Sequence, residues 1–66
     1  MNGMIENHKK AAHHLEEAAR YHHEAIVYHQ TGNQDKALIC TVKAHGHTIR
    51  ATQCQKEFLL YQASIQ

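Results

Sequence analysis

With 66 residues, a formal charge of +1 and 42% apolar residues, the chain is too short to bury a large core. Its charge is too balanced for the basic footprint of a nucleic-acid binder or an anionic-membrane binder at neutral pH. Eight histidines raise the charge to +9 when all are protonated, eight added to one, so charge-driven binding is confined to acid.

A chain of this size is expected to supplement its core with a disulfide, a metal or oligomerisation. The first residues, Met1-Asn2-Gly3-Met4-Ile5-Glu6-Asn7, have no apolar segment of signal-peptide length, and no apolar run later in the chain suffices to span a bilayer. The expected location is the cytoplasm, with no membrane partner.

Proline is absent, and the only strong punctuation is Thr31-Gly32-Asn33 between two long stretches of helix formers. The pattern predicts one all-α domain over residues 1–66, an antiparallel two-helix hairpin. Its first helix runs over about 4–30, its turn over 31–33 and its second helix over about 34–64. Glycine suits the left-handed residue that ends the first helix. Asn33 is positioned to cap the second, and Asp35 places a negative charge in its first turn.

On the first helix, Met4, Ile5, Ala11, Ala12, Leu15, Ala18, Ala19, Ala25 and Ile26 fall on one broad stripe at three- and four-residue steps. Glu6, Lys9, Lys10, His13, Glu17, Arg20 and Glu24 lie opposite. The alanines leave little bulk on the stripe, so the second helix is expected to approach closely.

The second helix has two apolar arcs, Cys40, Ala44, Ala51, Phe58 and Leu59 on one and Leu38, Val42, Ile49 and Leu60 on the other. One neighbouring helix cannot cover both. Two hairpins are therefore expected to combine into a four-helix bundle, as a homodimer or higher homo-oligomer. Gly46 sits mid-helix, where it either admits a close contact or kink or is merely tolerated. Cys40 and Cys54 on one helix are roughly 21 Å apart, against a limit of roughly 7 Å for a disulfide. They are expected as free thiols in a reducing compartment.

Six histidines lie between His8 and His29. On a helical projection His8, His22 and His29 fall on the alanine and leucine stripe, His13 lies opposite, and His14 and His23 flank it. Two readings follow. The three stripe histidines are interface residues bonded to Thr41, Thr48, Gln55 or Gln62 on the second helix, or they are transition-metal ligands.

An antiparallel hairpin centred near Asn33 puts His22 level with Ala44 and His45. Doubled by a two-fold axis, such a pair supplies four imidazoles, suited to zinc, copper or nickel. The candidate metal ligands are His22, His29 and His45. No histidine pair has i,i+3 or i,i+4 spacing, so a site must be assembled across helices or chains.

No phosphate loop, catalytic triad or acid and base pair is recognisable, and Tyr21, Tyr28 and Tyr61 read as interface aromatics. The expected function is non-enzymatic. The competing reading is a structural or interaction module, docking an unidentified protein and responding to pH through its histidines.

The run Ala11-Ala12-His13-His14-Leu15-Glu16-Glu17-Ala18-Ala19-Arg20-Tyr21-His22-His23-Glu24-Ala25, with Thr31-Gly32-Asn33-Gln34-Asp35-Lys36-Ala37 and Ala44-His45-Gly46-His47, resembles a group of short bacterial histidine- and alanine-rich hairpin proteins. The resemblance covers about residues 8–52. It implies an all-helical hairpin and a bacterial origin, and supplies no active site. Ala25, Tyr28, Gly32 and Ala37 are also similar to one tetratricopeptide unit, but the two helices are too long for that repeat and no second copy follows.

Overall fold

The computed structural model describes residues 2–64, which wind into α1 (Asn2–Gln30) and α2 (Gln34–Ser64) around a turn at residues 31–33. With no proline and one interior glycine per helix, nothing interrupts either ladder of i to i−4 hydrogen bonds. The helices fold back on each other into a rod whose Cα atoms extend 52 × 15 × 11 Å. No helix among the described residues is long and apolar enough to cross a membrane.

The turn closes by a Schellman arrangement. The Asn33 amide donates to the Tyr28 carbonyl at 2.8 Å and the Gly32 amide to the His29 carbonyl at 3.2 Å, with Gly32 at φ +78°. Thr31 Oγ1 donates to the Val27 and Tyr28 carbonyls at 3.1 and 3.2 Å, covering the same helix end. Asn33 Oδ1 then accepts from the Lys36 amide at 3.3 Å, capping α2, whose first turn carries Asp35. The expected cap, glycine and acidic first turn are all present.

The seam between the helices is narrower than the broad stripe predicted. Among the described residues, Ala11, Ala18 and Ala25 of α1 and Ala37, Cys40, Ala44 and Ala51 of α2 are the buried apolar ones, and no large side chain is fully buried. The alanines recur every seven residues on both helices. Between them come the half-buried His14, Tyr21, Tyr28, His47 and Cys54, so each helix repeats three- and four-residue steps as in a coiled coil.

Ile5, Leu15 and Ile26, expected on the seam, are instead 55%, 47% and 51% exposed, and Ala12 and Ala19 are exposed as well. Both alanine sets have the same seven-residue period one position apart, a turn of about 100°. Only the set without Leu and Ile admits the close spacing. Leu59, assigned to the inner arc of the second helix, is likewise 64% exposed.

Gly46 is not a close-contact glycine: a methyl built on it meets no neighbouring atom within 4 Å. Gly46→Ala should therefore stabilise the fold by about 1 kcal/mol through helix propensity, raising Tm by about 4–8 °C. Gly32→Ala should lower stability by about 1–2 kcal/mol, because its residue must hold a positive φ. Thermal unfolding by circular dichroism separates these opposite signs.

Candidate functional site

Tyr21 sits one seam position past Ala18 and carries a cation from each helix against its ring. The Arg20 guanidinium lies 4.4 Å from its ring centroid and Lys43 Nζ 5.5 Å. Nearer the turn, Lys36 Nζ is 5.7 Å from the Tyr28 ring. Arg20, Glu24, Lys36 and Lys43 thus border one groove along the hairpin, its charged side. Arg20 also donates to Glu17 at 2.6 and 2.9 Å and to Glu24 at 3.4 Å. The hydrogen bond from Arg20 holds the Glu17 carboxyl below its ordinary range and raises the guanidinium in turn.

Residues that precede seam positions build that charged side, so residues that follow seam positions turn about 100° to the other side. There α1 presents Ile5, His8, Leu15, His22, Ile26 and His29, all exposed. The same side of α2 presents Leu38, His45 and Leu59, with Val42, Ile49 and Leu60 continuing round its back.

His22, His29 and His45 therefore share one side of the hairpin. Tyr21 reaches both Lys43 and His47, whose ring it stacks at 5.8 Å and 14°, which brackets His45 and sets His22 beside it in level. His29 Nδ1 is engaged by Gln34 Oε1 at 2.9 Å. Among the described residues no hydrogen bond joins the stripe histidines to Thr41 or Thr48, whose hydroxyls donate to the Ala37 and Ala44 carbonyls of their own helix at 2.9 and 3.0 Å. His8 instead packs on Phe58, ring centroids 4.9 Å apart. No group of three His, Cys, Asp or Glu side chains poised for a metal occurs among the described residues.

A pair not singled out from the sequence lies in the seam itself. His14 Nδ1 and His47 Nδ1 are 2.8 Å apart, across 33 residues of chain, with ring centroids at 5.1 Å. One ring must carry hydrogen on Nδ1 and the other a lone pair, so the contact requires at least one neutral imidazole. The signal was positional. Each of the two residues follows a seam alanine, Ala11 or Ala44, by three, the position that Tyr21, Tyr28, Cys40 and Cys54 also occupy.

Desolvation in the seam, followed by the charges of His47, His13 and Arg50, lowers the affinity of His14 for a proton; Glu17 opposes them. Compared with known proteins, the chain matches no family model, no curated protein and no solved structure.

A depressed histidine pKa means that the unfolded chain binds more protons, so stability rises with pH in this window. The contribution of His14 is present above its ordinary value of 6.5 and is lost as pH falls below it. Denaturant unfolding at pH 8, 6.5 and 5 should give falling stability, with a shallower fall in His14→Gln. An equal fall in both proteins contradicts this assignment.

Proposed function

We propose that the chain is a non-enzymatic assembly module, a hairpin that pairs with a second copy of itself through its apolar side to form a four-helix bundle. The observation that carries this reading is the inversion of burial. Among the described residues the buried apolar set is six alanines and a cysteine, while Ile5, Leu15, Ile26, Leu38 and Leu59 on the side away from Arg20, with Val42 and Ile49 on the back of α2, are between 45% and 64% exposed.

Full burial of such a side chain contributes about 1.5–3 kcal/mol, so each half-exposed one forgoes roughly 1 kcal/mol. A lone hairpin of this length has no other large source of stability. Face-to-face pairing covers both helices' apolar sides at once and leaves the Arg20, Glu24, Lys36 and Lys43 side in water. Two cysteines fourteen residues apart on α2 suit a reducing compartment such as the cytoplasm.

Transition-metal binding is the second reading, favoured by one observation: His22 and His29 of α1 and His45 of α2 lie on the side that pairing covers. A two-fold axis doubles this set, and zinc, copper or nickel is then held by neutral imidazoles from both chains. Docking of a different protein on the same side is the competing occupant.

Sedimentation equilibrium of protein without a purification tag should give at least twice the chain mass at micromolar concentration. Leu38→Glu combined with Ile49→Glu should weaken association at least tenfold, and Arg50→Ala on the charged side should leave it intact. A monomer at all concentrations would overturn the reading. Metal carried by His22, His29 and His45 should be lost in the Leu38→Glu, Ile49→Glu protein together with the dimer.

A further inference from the structure

We propose that the side of the hairpin left in water by self-pairing docks an acidic amphipathic helix of another protein, with Lys36, Lys43 and Arg50 as the cations that select it and Val27 and Ile39 as its apolar contacts. The surface belongs to a single chain, so the proposal does not depend on self-association.

Uncommitted charge carries the argument. Lys36, Lys43 and Arg50 each precede a seam alanine of α2, Ala37, Ala44 or Ala51, so they form a row along one edge at steps of about 10.5 Å. The carboxylates placed likewise on α1, Glu17 and Glu24, are both engaged by Arg20 of their own helix. Among the described residues the three cations of the row have no ion-pair partner. Lys36 and Lys43 lie instead over the Tyr28 and Tyr21 rings, contacts that leave ammonium hydrogens for an incoming acceptor. Glu57 occupies the next step and ends the row.

Exposed apolar residues lie beside the cations. Val27 and Ile39 follow Ala25 and Ala37, the seam alanines nearest the turn, by two, and each is 53% exposed. Ile39 lines a groove of about 280 Å³ that Arg20, Lys36 and Lys43 border. Val27 lines an adjoining hollow of α1 that shares Arg20 and Glu24 with the groove. Pairing through the opposite side covers neither residue. Gly46, seven residues past Ile39, continues the line as open space, with nothing within 4 Å of a methyl built on it.

The helical form of the partner follows from the spacing. Residues seven apart on a helix recur at about 10.5 Å on one face and stay level with the row, whereas same-face residues of an extended strand recur at about 6.6–6.8 Å and fall out of step with it. A carboxylate at every seventh position of the partner meets Lys36, Lys43 and Arg50 in turn, while its apolar stripe covers Val27 and Ile39. Exposed ion pairs each contribute little, so the apolar contacts supply the burial and the cations select the sign of the partner's charge. Glu17 and Glu24 turn the partner's acidic edge away from α1 and toward α2.

The test uses synthetic helical peptides of about three heptads, with a leucine stripe edged by glutamate at every seventh position, and a twin with lysine in place of glutamate. Fluorescence anisotropy gives the affinities, and methyl NMR gives the footprint. The glutamate peptide should bind at least tenfold more tightly than its twin and weaken as salt is raised. Lys36→Glu combined with Lys43→Glu should reverse that preference, and Val27→Ser combined with Ile39→Ser should weaken the glutamate peptide at least tenfold. All four positions are exposed, so helicity by circular dichroism should hold in both variants.

In the unsubstituted protein the glutamate peptide should shift the Val27 and Ile39 methyl signals before those of Leu38, Val42 and Ile49, a readout that needs no variant. The proposal is overturned if that spectrum is unchanged, if Leu38, Val42 and Ile49 respond first, or if the two peptides bind alike. Polyphosphate that binds as tightly as the glutamate peptide, with Val27 and Ile39 unmoved, equally overturns it, because the row is then a site for any polyanion and not a helix dock.

Discussion

The hairpin depends on the close approach of two helices along alanines repeated every seven residues. Ala11, Ala18 and Ala25 on α1 and Ala37, Ala44 and Ala51 on α2 carry nothing beyond a methyl group. The backbones can therefore come together at the short end of helix packing distances, about 8 Å. Such a seam has little apolar area to bury, and its stabilisation comes from many short dispersion contacts instead of a few large side chains. The larger aliphatic residues are displaced outward, and the apolar belt follows from that displacement.

The same constraint gives the intervening positions their character. His14, Tyr21, Tyr28 and His47 lie between alanine levels, where long planar rings can lie along the seam and extend to its edges. At the charged edge the tyrosines accept Arg20, Lys36 and Lys43 on their faces, which keeps the cations near the rod while their heads stay in water. In the middle, two rings meet across the seam, and neutrality of at least one is a condition of the contact. Packing and protonation are thus coupled at one level of the rod, although most of the histidines lie elsewhere.

The parts of the fold legible in the sequence were those set by local chemistry. Gly32, Asn33 and Asp35 each act within a few residues of themselves, and the helix ends followed from them. Choosing the seam was harder, because Ala12 and Ala19 repeat with the same period as Ala11 and Ala18, and their neighbours Leu15 and Ile26 look more like core than His14 and Tyr21. Hydrophobicity favours the first set, and steric fit against Ala44 and Ala51 favours the second. Fit prevailed, but it is a property of two helices together. His14 and His47 escaped notice for the same reason: 33 residues separate them, and their likeness is one of position in the repeat. The grouping of His22, His29 and His45 on one side was accessible, since it needs only the helical turn.

A strict seven-residue repeat on both helices also sets a rule for how such a chain can change in length. Inserting or deleting one residue in either helix rotates everything beyond it by about 100°, turning alanines out and charged or bulky residues into a gap that cannot hold them. Seven residues removed from α1 leave the faces aligned but strand a stretch of α2 without its partner. The hairpin can therefore lengthen or shorten only in matched heptads, one on each helix. Its length is quantised, whereas the turn at Gly32 can stay the same.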